Sequence, residues 1–154
     1  MTYENLLQEA ADDNVYVIES APFRSQAEGL INNDVIGINR AVRDSNRRAC
    51  VLAEELGHYH TTVGDILDQS SAGNRKQEYR ARLWSYNKMI GLRGIIDCHN
   101  AECHTAYDMA DHLGVTEEFL QEAIQCYRNK YGIYTIFDNY VIYFEPVLSV
   151  LELI

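Results

Sequence analysis

The stretch VLAEELGHYHTT, Val51 to Thr62, joins an apolar helical repeat to two adjacent acids and a histidine. Leu52, Ala53 and Leu56, with Ala49 upstream, recur at helical spacing and predict one core-facing stripe. Val51, Glu54, Glu55 and His58 fall on the neighbouring face, so the polar group borders the buried side of the helix. Either Asp44 or Ser45 offers a side-chain oxygen to the free amides of a first turn, which predicts a helix from about Asn46 to His60. Gly57 inside that helix costs on the order of 1 kcal/mol against alanine, and close approach of a substrate strand, another backbone or a tightly packed helix would justify it.

Residues four apart on a helix are neighbours, so Glu54 and His58 can converge on one cation through a carboxylate oxygen and an imidazole nitrogen. The pattern E-E-x-G-H differs in its first letter from the metal-hydrolase motif H-E-x-x-H. Glu55, next to the first ligand, is placed to take a proton from water, the role of a general base. A third ligand must come from elsewhere. Glu78, Asp65 and His60 are the candidates. His60, two residues from His58, faces away on a helix, and Asp65 requires a loop to fold back. Glu78 would bring the ligand in on a second rigid element and is preferred. The same spacing also fits an ordinary solvated helix face, with Glu78 bonding Arg82 or Arg75 on its own helix.

Around this helix the chain reads as α+β. A first helix is predicted over Tyr3 to Ala11 and a strand from Val15 to Ile18. A hairpin follows, with Leu30 and Ile31 entering, Asn32 to Asp34 turning and Val35 to Ile38 returning. GDILDQSSAGN is loop-like, and a long helix runs from about Arg75 to Ile90 on a core stripe of Tyr79, Leu83, Tyr86 and Ile90, ended by Gly91 and Gly94. Helices near Thr105 to Leu113 and after Thr116 are divided by Gly114, and two aromatic strands flank a turn at Asp138 and Asn139. The expected organisation is a first region over residues 1–94 and a C-terminal helical subdomain with a terminal hairpin over residues 95–154, packed as one unit.

Composition narrows the function classes. At 154 residues, 47% of them hydrophobic, the chain can bury a real core, and no apolar run approaches the roughly 20 residues that span a bilayer. The start MTYENLLQEA lacks a secretory pattern, so a reducing cytoplasm and free cysteines are expected. A net charge of -10 disfavours a nucleic-acid groove. Basic residues gather at Arg75, Lys76, Arg80, Arg82, Lys88 and Arg93, an island that equally suits a helix face neutralising nearby acids.

Two further features invite a role. Cys98, His99, Cys103 and His104 cluster in DCHNAECH, but C-x4-C fits no common structural zinc spacing, and ordinary cysteines near a helix end are expected. Cys50 and Cys126 read as core residues. The segment from Thr105 to Phe144 has the outline of a winged helix-turn-helix, yet TEEFLQEAIQ opens with acids where a DNA-reading helix needs positive charge. The ending VLSVLELI is apolar enough to be buried, for example in a dimer.

The layout as a whole resembles the ImmA/IrrE family of metallopeptidases. GLINNDVIGINRAVRDSNRRACVLAEELGHYHTT is similar to that family's strand, linker and active-site helix. RKQEYRARLWSY is similar to its following helix, and AYDMADHLGVTEEFLQEAIQCYRNKYG to its C-terminal helical segment. The resemblance implies a zincin-like metallopeptidase core with a small antiparallel sheet and a C-terminal, winged-helix-like subdomain. It places the metal ligands at Glu54, His58 and Glu78 and the general base at Glu55. It implies one divalent ion, Zn2+ or, with two carboxylates making the site harder, Mn2+ or Fe2+. The implied activity is endopeptidase cleavage of a helix-turn-helix phage or mobile-element repressor by metal-activated water. The implied alternative is a non-catalytic module that grips a repressor or regulator without cutting it. Two departures stand out: Glu54 replaces the family's first histidine, and the helix after Glu78 lacks the A-x-x-F-A run and its closing proline.

Overall fold

The structure, a computed structural model, describes residues 1–62 and 71–154. Asp65, a candidate ligand, lies outside the described residues. The chain divides into two compact units, Met1–Lys88 and Met89–Ile154.

The first unit is organised around the helix that carries the acids. Asp44 accepts from the Arg47 amide at 2.8 Å and starts α2, Ser45–Thr61. Its stripe of Ala49, Leu52, Ala53 and Leu56 is buried. Beneath it lies a three-stranded sheet of β1 (Tyr16–Ala21), β2 (Gly29–Asn32) and β3 (Val35–Asn39), in the order β1-β3-β2. Ile36 and Ile38 of β3 alternate inward and are fully buried, as a strand with one covered face requires. Helix α1, Tyr3–Asp12, is capped by Thr2 and packs against α2, burying Leu6 and Ala10.

Helix α3, Ser71–Met89, begins four residues before the expected Arg75, inside the stretch read as a loop. Tyr79, expected in its core stripe, is 47% exposed, whereas Ala81 and Tyr86 are buried. Of the expected stripe, Tyr86 and Ile90 are buried, and Tyr79, nearest the helix start, is the member that faces out.

The first sheet is mixed, correcting the antiparallel expectation. β2 and β3 form the predicted antiparallel hairpin, with Leu30 opposite Gly37, but β1 runs parallel to β3, with Val17 opposite Ile36. The chain leaves β1, passes to the far edge to form β2, and returns between them. Because the β1–β2 connection sets β2 running opposite to β1, the hairpin return of β3 runs with β1.

The second unit holds α4 (Gly91–Asn100), α5 (Ala106–Leu113), α6 (Glu117–Tyr131) and an antiparallel sheet β4-β5-β6 over Tyr134–Phe137, Tyr140–Tyr143 and Ser149–Glu152. Thr105 and Thr116 cap α5 and α6, and Gly114, at φ +71, separates them. Asp138, at φ +52, makes the expected tight turn between β4 and β5.

Of the two glycines expected to end α3, Gly91 does so: α3 stops at Met89, and Gly91, at φ +64, opens the separate helix α4. Gly94 sits inside α4, where a Cβ would lie 3.1 Å from Leu113, so its smallness serves helix packing. The ending VLSVLELI forms edge strand β6, and within the single chain Leu151 and Leu153 are exposed. Among the described residues, no helix is long and apolar enough to cross a membrane.

Candidate active site

One turn of helix separates Glu54 from His58 on α2, and α3 brings a third polar side chain to the same place. His58 Nε2 lies 3.6 Å from Glu78 Oε1, while the other Glu78 oxygen stands 4.0 Å from Arg82 Nε on its own helix. Glu78 thus lies near the motif histidine while it pairs with Arg82 on its own helix.

Packing explains why α2 and α3 come this near. A Cβ on Gly57 would overlap the carbonyl oxygen of Ala81, so the two backbones touch where no side chain fits. The glycine adjacent to His58 is the point of closest helix approach, which is one of the reasons expected for it.

Glu55 faces the sheet side of this cluster. A Cβ on Gly29, the first residue of β2, would lie 2.7 Å from Val51 Cγ1 and 3.0 Å from Glu55 Oε1. The carboxyl therefore rests against bare strand backbone. Burial, then the nearby Glu54 and Glu78 carboxylates, push the Glu55 pKa up to about 7. An acid so tuned exchanges protons near neutrality. Gly29 was not singled out by sequence reasoning; a glycine opening a strand, where it loses more entropy than other residues, was the available signal.

His60 belongs to a different network. It stacks on Trp84 with ring centroids 4.8 Å apart, and its Nε2 lies 3.3 Å from Asp13 Oδ2. That matches its low standing among the candidate ligands. The charge of Glu54 reaches Arg47, whose guanidinium is engaged by Glu28. Three residues of the basic island pair with acids of their own units: Lys88 with Glu9 at 2.6 Å and Arg82 with Glu78 in the first, and Arg93 with Asp138 in the second.

An imidazole nitrogen facing a carboxylate oxygen, with two further carboxyls crowding them, is the donor chemistry of a divalent cation, which would relieve the like-charge repulsion. His58 and Glu78 fit such an ion as a facing pair. Among the described residues, no group of three His, Cys, Asp or Glu side chains is close enough to hold a metal. Cys98, His99, Cys103 and His104 likewise form no such group.

The chain matches the family model Peptidase_M78, IrrE N-terminal-like domain, over residues 3–125, which takes in the α2–α3 cluster and ends within α6. No curated protein and no solved structure matches it.

Proposed function

Since this chain belongs to the IrrE N-terminal-like family of peptidases, we propose that it is a metal-dependent endopeptidase whose site is built on Glu54, Glu55, His58 and Glu78. The approach of His58 to Glu78 across α2 and α3, beside the crowded Glu55 carboxyl, carries this reading. Glu54, one turn before His58, would have to turn toward that pair to complete the ligand set. A bound divalent cation, Zn2+ or with this oxygen-rich set Mn2+ or Fe2+, supplies a Lewis acid that polarises the scissile carbonyl and acidifies water.

The chain's own residues do the remaining work. Glu55, held against Gly29, accepts the proton of the attacking water at its carboxylate and delivers it to the leaving amine. Its raised pKa suits both halves of that transfer, because a base that is too weakly basic would not return the proton to nitrogen. The substrate is a helix-turn-helix repressor of a phage or mobile element, cut at an exposed segment; the family supports a protein substrate, and the repressor is our extension of it. The zincin-like character of the first unit and the winged-helix character of the second belong to the same proposal.

A second reading has its own observation. With Glu54 in the place of the motif's first histidine, and no three-donor group among the described residues, the scaffold also suits a module that binds a repressor without cutting it. Incubation with a repressor encoded beside it separates the two. The peptidase cleaves with added Zn2+ or Mn2+, stops with chelator, and as Glu55→Gln binds the repressor without cutting. Binding without cleavage at saturating cation establishes the module instead.

A further inference from the structure

Helix α4 ends in a Schellman motif whose two contacting side chains are both thiols. The Glu102 amide donates to the His99 carbonyl at 3.1 Å and the Cys103 amide to the Cys98 carbonyl at 3.0 Å, with Glu102 in the left-handed conformation at φ +60. In this motif the residue three before the cap and the second residue after it are pressed together, normally as an apolar contact. Cys98 and Cys103 occupy those two positions, and the Cys103 thiol is near enough to hydrogen-bond Cys98. Cys98 is buried and Cys103 partly exposed. With Ile95, Met109, Leu148 and Val150 they line a cavity of about 90 Å³.

We propose that Cys98 and Cys103 are a reversible thiol-disulfide pair, oxidised by hydrogen peroxide and restored by a dithiol reductant. The thiolate of Cys103, the accessible member, attacks one peroxide oxygen; the O–O bond breaks, giving Cys103 sulfenic acid and hydroxide, which takes up the proton the thiol released and becomes water. The Cys98 sulfur then attacks the Cys103 sulfur, the S–S bond forms, and the sulfenic oxygen leaves as a second water with the Cys98 proton. Two thiols and one peroxide thus become one disulfide and two waters. Burial and the Cys103 neighbour push the Cys98 thiol up to about 12, which leaves the first attack to Cys103. The backbone bonds that bring the two residues side by side are present before oxidation.

Glu102, between the two cysteines, makes the test direct. The full chain is treated with hydrogen peroxide, its free thiols alkylated under denaturing conditions, and the product digested with a protease that cuts after glutamate. The expected result is two fragments, divided at Glu102, still joined until dithiothreitol is added, with a mass lower by two hydrogens and two fewer titratable thiols. Cys98→Ser should leave Cys103 as a sulfenic acid trapped by dimedone, and Cys103→Ser should leave Cys98 unmodified. Oxidation of wild-type Cys103 to the sulfinic acid with Cys98 free overturns the proposal. So does a Cys103 bridge between two chains, or a bridge to Cys50 or Cys126.

Discussion

Gly57 of α2 rests directly on the carbonyl of Ala81 in α3, and less than one helical turn from that contact His58 faces Glu78 at 3.6 Å. The distance between the proposed ligands is thus set by a packing contact made of backbone. A rigid contact that places donors is worth more to a metal site than the donors' identities alone.

Substitution Gly57→Ala tests this coupling. Alanine favours the helix by about 1 kcal/mol over glycine, but its methyl would overlap a backbone oxygen, and overpacking of this kind costs roughly 1–3 kcal/mol. The expected outcome in urea unfolding is a net loss of stability of up to about 2 kcal/mol, together with weakened cation binding. A variant as stable as wild type that retains full cation affinity would show that the helices can part freely.

Gly29→Ala addresses Glu55 in the same way. Its Cβ would meet the Glu55 carboxyl at 3.0 Å and the buried, stiff Val51 at 2.7 Å, so both must shift. Peptidase turnover is expected to fall by about 10-fold or more, because a displaced base loses its reach to the proton, together with an overpacking loss of roughly 1–3 kcal/mol in unfolding. Unchanged turnover would remove Glu55 from the proton-transfer role.

The pair of Glu28 and Arg47 predicts an acid-sensitive contribution to stability. Hydrogen bonds from Arg47, opposed by partial burial, hold Glu28 below its ordinary 4.5. A depressed carboxyl pKa means that the unfolded chain binds the proton first on acidification. The contribution is therefore complete above 4.5 and is lost as pH falls through the folded value. Because both side chains are partly exposed, it should be under about 1 kcal/mol. Unfolding midpoints of wild type and Glu28→Gln should differ at about pH 7 and converge at about pH 3. An equal gap at both would assign the loss to packing.

The helices were legible in sequence where local rules decide them. Asp44, Thr105 and Thr116 cap as their side chains dictate, and the stripe from Ala49 to Leu56 is the buried one. Gly94 misled because the two uses of glycine look alike in a sequence: Gly91 ends α3 by positive φ, as expected, whereas Gly94 stays helical to admit Leu113. The exposure of Tyr79 and the parallel course of β1 beside β3 depend on partners far along the chain, which periodicity cannot encode. For the candidate site, spacing placed Glu54, Glu55 and His58 on α2, and the preference for a second rigid element picked out Glu78, which the structure brings to His58. The carboxyl's seat on Gly29 needed the sheet's register and could not be read locally.

Cation stoichiometry by equilibrium dialysis, with Zn2+ and with Mn2+, tests the central claim most directly when wild type and Glu78→Ala are compared at matched foldedness. One tightly held ion per wild-type chain is the predicted result, with affinity reduced at least about 100-fold in Glu78→Ala. A wild-type chain that takes up no ion at saturating concentration, or a Glu78→Ala chain that binds it equally well, would contradict the account.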